Sequence, residues 1–288
     1  MISELQFQKE LDLTIANAVR EDIGEGDHSS LACIPENATG SAVLLVKEDG
    51  IIAGVEFAKM VFDYIDSNLK VETFINDGEV VSKGDIAFKI SGLSLSILKA
   101  ERLVLNAMQR MSAIATKTRA FVILIEDFQT QILDTRKTTP GLRALEKWAV
   151  SIGGGTNHRF ALYDMIMLKD NHIDFAGGIA EAIIKTNKYL IDHNLDIKII
   201  VEARNLKEVE EILEQDNVYR ILLDNFNFED TQKAVELIGG KCLTESSGGI
   251  TFDTVKTYAK CGVDFISSGA LTHSVHNMDM SLKAISNA

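Results

Sequence analysis

The residues best able to do chemistry crowd into one stretch of the chain. Between Asp134 and His172 stand six Lys/Arg, at 136, 137, 143, 147, 159 and 169, against four Asp/Glu. His158, His172, the single Trp148 and one of only two prolines, Pro140, fall in the same stretch. Arginine's planar fork suits carboxylate and phosphate, and lysine meets phosphate as a point charge. Pro140-Gly141 and Gly153-Gly-Gly155 are interleaved with these charges, and such residues shape a backbone. The stretch therefore predicts a site for a small, multiply charged anion. The whole chain of 288 residues carries 29 Lys+Arg and 42 Asp+Glu, a net charge of −13. That acidic total excludes a large polyanion such as nucleic acid, or an anionic membrane surface, as partner.

Two carboxylates and two glycine-rich loops follow. Glu202 and Asp224 each close a short apolar run. Near phosphate such a pair fits Mg²⁺, which takes one or two carboxylates plus phosphate oxygens and water. General acid–base work and a structural ion pair with the lysines are the other readings. Glu245-Ser-Ser-Gly-Gly-Ile250 and Ile266-Ser-Ser-Gly-Ala270 each end a strand pattern and precede a helical one. Small residues there let backbone N–H groups close around phosphate at a helix N-terminus. No Ser or Cys has a visible His/Asp relay, so a nucleophile-based hydrolase has no support.

The elements that must position these residues change character along the chain. Up to about residue 125, helical spacing at 5–22, 55–65 and 95–125 flanks a strand at 41–47, and Asp-Gly and Lys-Gly turns separate short strands over 76–92. From about residue 130, short apolar strands at 131–133, 165–168, 197–201, 220–223, 242–244 and 264–266 alternate with helical segments at 177–193, 205–215, 228–238 and 252–261. That is the pattern of parallel βα units. A reduced barrel and a doubly wound open sheet both fit. Each strand ends in polar residues or glycine, which favours a barrel, where all such ends share one rim.

These segments resemble the quinolinate phosphoribosyltransferase family. The resemblance rests on Asp134-Thr-Arg-Lys-Thr-Thr-Pro-Gly-Leu-Arg143, Glu146-Lys-Trp-Ala-Val150, Gly153-Gly-Gly-Thr-Asn-His-Arg159 and Lys169-Asp-Asn-His-Ile173. Glu21-Asp-Ile-Gly-Glu-Gly-Asp27, Glu101-Arg102, Leu223-Asp-Asn225, Glu245-Ser-Ser-Gly-Gly249 and Leu271-Thr-His-Ser274 add to it. It implies an α/β fold: an N-terminal α/β sandwich over 1–112, joined by 273–288, and an incomplete, seven-stranded α/β barrel over 113–272. It implies a Mg²⁺-dependent enzyme of NAD biosynthesis that converts quinolinate and phosphoribosyl pyrophosphate to nicotinate mononucleotide, CO₂ and pyrophosphate. It also implies a homodimer with shared active sites, with assembly beyond the dimer left open.

Site residues follow from the same resemblance. Arg102 from the neighbouring subunit, Arg136, Lys137, His158, Arg159 and Lys169 would bind quinolinate. Lys137, Lys169, Asn171, His172, Glu202, Asp224, Ser247, Gly248, Gly249, Ser268 and Gly269 would bind phosphoribosyl pyrophosphate. Lys137, Lys169, Glu202 and Asp224 would serve catalysis, with Glu202 and Asp224 holding the metal. The chain departs from the family pattern at Ala113, Ala161 and Ile200, the first two standing at glycine positions and the third at a glutamate.

Three cysteines with no short spacing suggest buried thiols in a reducing compartment. With no basic start followed by an apolar run at the amino terminus, a cytoplasmic setting is expected.

Overall fold

Hydrophobic periodicity and capping set the first elements of the computed structural model, which describes residues 2–285. Residues 1 and 286–288, included in the expected domain ranges, lie outside them. The chain opens with α1 (Glu4–Ile23), whose N-cap Ser3 accepts the Gln6 N–H and which stops at Gly24 in a positive-φ conformation. Then come α2 (His28–Cys33), β1 (Thr39–Val46), β2 (Gly50–Ile51), α3 (Val55–Ile65), β3 (Lys70–Thr73), β4 (Val80–Val81), β5 (Ile86–Leu93) and the long α4 (Ser94–Leu124).

The chain forms two compact units. One comprises residues 3–119, 138–154 and the chain from 271 onward; the other comprises 120–137 and 155–270. In the first, an antiparallel sheet runs β12-β1-β5-β3, where β12 is the terminal strand Met280–Ile285. Ala42, Leu44 and Val46 alternate into its buried face, as period-two geometry requires. The expected strands over 76–92 form, but they do not pair with each other: β4 pairs with β2, and β5 with β1 and β3. The Lys83-Gly84 turn therefore carries the chain from one sheet to another.

Helix α4 satisfies backbone groups of this unit with its own side chains. Ser112 Oγ accepts from the Ala53 N–H at 2.8 Å, and Thr116 Oγ1 accepts from the Ile51 N–H at 2.8 Å. Farther along, Arg110 donates through Nε to Glu146 Oε1 at 2.7 Å and through a terminal nitrogen to Thr139 Oγ1 and Thr272 O. Glu146 is 1% exposed. Removing its cation leaves a buried charge uncompensated, which costs about 3–5 kcal/mol. Arg110→Ala is accordingly expected to lose about that much stability in a urea titration, whereas Lys59→Ala, which breaks an exposed pair with Glu56, is expected to lose less than about 1 kcal/mol.

The second unit continues with β6 (Gln131–Leu133), and after it α5 (Arg143–Ile152) falls in the first unit. Then follow β7 (Ile166–Leu168), α6 (Asp170–Ala176), α7 (Ile179–Asp192), β8 (Ile199–Ala203), α8 (Leu206–Leu213), β9 (Arg220–Asp224), α9 (Phe228–Ile238), β10 (Leu243–Ser247), α10 (Val255–Lys260) and β11 (Phe265–Ser267), and α11 (Ala270–His273) begins at the last residue of this unit and runs into the first. All six strands are parallel, in the order β6-β11-β10-β9-β8-β7. The first strand lies beside the last. That adjacency distinguishes a barrel from a doubly wound open sheet, and it decides between the two sequence readings. A single parallel bridge, Leu133 to Thr156, adds a seventh position beside β6. Among the described residues no ladder joins Thr156 to β7, so the barrel is incomplete there.

No helix among the described residues is long and apolar enough to cross a membrane. The three cysteines are free thiols, and none is buried as expected: Cys33 is exposed on the short helix α2, and Cys242 and Cys261 are half-buried. Among the described residues only Asn194, Asn217 and Asn225 have positive φ without being glycine. Ala113 and Ala161 therefore sit unstrained at positions where the resembling family has glycine.

Candidate active site

Period-two alternation along neighbouring parallel strands stacks the functional side chains in layers on one face. Ile200 on β8 lies in register with Arg220 on β9; above them come Glu202, Leu222 and Glu245, and then Asp224 with Ser247. Glu202, Leu222, Asp224, Glu245 and Ser247 all line one cavity of about 550 Å³ at the carboxyl ends of the strands. Thr135, Arg136, Lys137, His158, Arg159, Met167, Lys169, Asn225, Gly248, Gly249 and Ser267 complete its wall. Ile200 is fully buried one layer below, at the level of Arg220 and outside that lining.

Of the residues expected from the sequence, the cavity gathers Arg136, Lys137, His158, Arg159, Lys169, Glu202, Asp224, Ser247, Gly248 and Gly249. Asn171, His172, Ser268 and Gly269 do not line it, and Arg102 is exposed on α4 in the other unit. His172 acts locally: its Nδ1 accepts the Lys169 N–H at 3.0 Å, forming half of a capping box that sets the start of α6. Ser268 is buried, and its N–H donates to Leu133 O.

Two arginines face the cavity under electrostatic stress. Burial lowers the pKa of Arg159, and the charge of Arg136 lowers it further, against a partial offset from Asp164. Arg159 donates through one terminal nitrogen to Met165 O at 3.1 Å, which leaves other N–H groups of its five-donor fork for a ligand. Across the cavity, Lys169 Nζ stands 3.4 Å from Glu202 Oε2. Burial raises the pKa of Glu202; Lys169 pulls it back, and the nearby Asp224 raises it again.

Glu202 and Asp224 thus form a carboxylate pair on adjacent strands, partly buried and mutually repelling. No group of three or more His, Cys, Asp or Glu able to hold a metal ion occurs among the described residues. Two carboxylates beside a phosphate-sized space fit the Mg²⁺ mode in which substrate oxygens and water complete the shell.

The loop after β10 is built for close approach. Gly248 has φ +95°, and a Cβ there would stand 2.9 Å from the backbone nitrogen of Asn225. Asn225 itself is left-handed at φ 56°, donates its N–H to Ser247 O at 2.8 Å and donates through Nδ2 to Asp224 Oδ2. The sequence pattern predicts a helix directly after this loop, but α10 begins only at Val255. A turn at Thr251–Thr254, closed by Thr254 Oγ1 accepting the Thr251 N–H, intervenes. The loop after β11 does open directly into a helix, α11.

A polar line at the cavity floor, with Arg220 one layer below, joins residues far apart in the sequence. Glu245 is fully buried; its Oε2 accepts from Arg220 at 2.7 Å and stands 3.3 Å from His158 Nε2. Burial alone would raise the Glu245 carboxyl, yet His158, Arg220 and the Ser267 hydroxyl bring it down to about 2. Asp134, also fully buried, accepts the His158 N–H at 2.8 Å. The signal that could have found Glu245 is strand period, since it lies two residues before Ser247 on the same face.

Comparisons with known proteins identify the family. The family model described as quinolinate phosphoribosyl transferase, N-terminal domain, matches residues 27–112, and its C-terminal domain matches residues 114–283. A chloroplastic nicotinate-nucleotide pyrophosphorylase [carboxylating] of Oryza sativa is 46% identical over 289 residues, covering 95% of this chain and 77% of its own. A probable nicotinate-nucleotide pyrophosphorylase [carboxylating] of Bacillus subtilis is 41% identical, covering 91% and 89%. The crystal structure of NadC from Streptococcus pyogenes superposes with a TM-score of 0.89 at 36% identity, covering 98% of this chain and 97% of its own. With both of its domain models matched in order across the cavity-bearing barrel and the preceding sheet, this chain belongs to the quinolinate phosphoribosyl transferase family.

Proposed function

We propose that this cavity transfers the phosphoribosyl group of phosphoribosyl pyrophosphate to quinolinate, releasing pyrophosphate and CO₂ and leaving nicotinate mononucleotide. The observation that carries the reading is the pair Arg136 and Arg159, whose like charges repel within one cavity. A planar dicarboxylate relieves that repulsion and meets guanidinium forks in bidentate geometry.

The chain's residues divide the work by charge. Arg136 and Arg159, with Lys137 and Lys169 at the boundary between the two substrates, hold the carboxylates. Ser247, Gly248 and Gly249 present backbone and hydroxyl donors to the 5′-phosphate, which the close Gly248–Asn225 approach supports. Ser268 and Gly269 stand at the start of α11, on the next strand end. As the ribose–pyrophosphate bond breaks, positive charge develops at the anomeric carbon, and Glu202 and Asp224 stabilise it electrostatically. The same two residues would hold Mg²⁺, which supplies neutralisation of the departing pyrophosphate. After transfer the adjacent positive pyridinium nitrogen stabilises the electron pair left on C2 as CO₂ departs, and a proton from solvent then fills C2, so no side-chain nucleophile is needed.

A second copy of the chain completes the site in this reading. Arg102 is exposed on α4 and absent from the cavity wall, which suits a residue donated to a neighbour in a homodimer. The free state of all three cysteines fits a cytoplasmic, reducing compartment.

The test is a coupled measurement of nicotinate mononucleotide and ¹⁴CO₂ from carboxyl-labelled quinolinate with phosphoribosyl pyrophosphate. Equimolar products are expected with Mg²⁺, and loss of turnover with excess EDTA. Absence of product from a folded, dimeric preparation with Mg²⁺ would overturn the reading.

A further inference from the structure

We propose that Arg220, Glu245 and His158 form a buried positioning relay that fixes Arg159 for its dicarboxylate, with both His158 ring nitrogens directed at the protein rather than at the substrate. The inference rests on the cavity being the quinolinate site.

The ring's environment on each side supports it. His158 Nδ1 accepts the backbone N–H of Arg159 at 2.6 Å. A nitrogen that accepts carries no proton, so in the neutral ring the proton sits on Nε2. Nε2 faces Glu245 Oε2 at 3.3 Å. That carboxylate is fully buried and is already bound by Arg220. Arg220 is only 5% exposed, with its guanidinium 4.0 Å from the centroid of the Phe265 ring. The His158 N–H is held in turn by the buried Asp134.

Residues 158 and 159 are therefore held by two hydrogen bonds, the His158 amide on Asp134 and the Arg159 amide on the ring, while the ring's Nε2 stands 3.3 Å from the Glu245 carboxylate. The far end of Arg159 is tied to Met165 O. This matters because residues 157–165 lack a strand ladder on the β7 side, so ordinary sheet pairing cannot position them. Side-chain carboxylates take over that role. A guanidinium fork must be placed within a fraction of an ångström to bind bidentately, and misplacement by about 1 Å costs on the order of 10²-fold.

Two measurements test the relay. In protein labelled with ¹⁵N-histidine, the His158 signal, assigned through His158→Gln, is expected to report the Nε2–H tautomer. That signal is expected to keep its tautomer when quinolinate saturates the site. Conversion to an imidazolium, or to Nδ1–H, on adding quinolinate would overturn the proposal in favour of direct ligation.

Second, Glu245→Gln is expected to raise the quinolinate KM about 10- to 100-fold while changing the phosphoribosyl pyrophosphate KM less than twofold. Should Glu245→Gln fail to fold because Arg220 is orphaned, Glu245→Gln/Arg220→Gln removes both charges and is expected to show the same selective rise. Equal effects on both substrates, or an unchanged quinolinate KM with only a lower Tm, would make the relay a stability element and refute the proposal. Failure of the broader reading looks different: wild-type protein would not turn over quinolinate at all, while the tautomer signal would be unaffected.

Discussion

Arg159→Met is expected to lower kcat/KM for quinolinate by about 10²- to 10³-fold, the cost of losing a buried charge-assisted contact of about 3–4 kcal/mol. The same substitution is expected to leave the ligand-free protein at least as stable as wild type. Arg159 is 7% exposed, and its charged form is disfavoured by burial and by Arg136. Replacing such a repelled, buried charge with an apolar side chain of similar length removes that burden. The two effects have opposite signs, which distinguishes a binding residue from a structural one. Differential scanning calorimetry with and without quinolinate reads both. Wild type should gain Tm on ligand addition, by the usual linkage of binding to stability, while Arg159→Met should gain none. A lower ligand-free Tm together with wild-type quinolinate kinetics would contradict the assignment.

The second large effect is expected at the loop after β10. Gly248→Ala places a Cβ against Asn225 at a φ of +95°, where an L-residue is strained by about 1–3 kcal/mol. The loop must move, and the backbone donors it presents move with it. We expect the phosphoribosyl pyrophosphate KM to rise about 10²-fold and the quinolinate KM to change less than threefold. Gly249→Ala is the control. Gly249 has φ +61°, and a Cβ there would meet nothing within 4 Å, so only the backbone preference of about 1 kcal/mol is lost. Its KM for phosphoribosyl pyrophosphate should rise less than tenfold. Equal effects at the two glycines would show that loop conformation, not close approach to Asn225, matters.

Much of this architecture is legible in the sequence because the signals are local. Apolar periodicity alone gives α3 and α9 at their observed bounds. The six barrel strands stand out as short apolar runs ending in polar residues. What sequence does not supply is partnering. The strands over 76–92 look like hairpins because turn chemistry fixes a reversal but not which strand the chain rejoins. Asn171 and His172 lie within a conspicuous motif, yet α6 begins there and turns them away from the cavity wall. Glu245 and Arg220 are 25 residues apart, and only the β9–β10 register brings them to one face. Arg110 and Glu146 are separated by 36 residues and meet only once α4 and α5 pack.

The interrupted ladder between Thr156 and β7 carries a consequence for the ligand itself. A closed barrel is held all round by its own peptide groups, whereas this one has a seam flanked by Arg159 on one side and Lys169 on the other. Under the function proposed above, a dianion held by both cations would bridge that seam as a missing rung, making the substrate a temporary part of the scaffold. In that reading, chemistry that consumes a carboxylate removes one end of the rung, so the bridge lasts only as long as the substrate does.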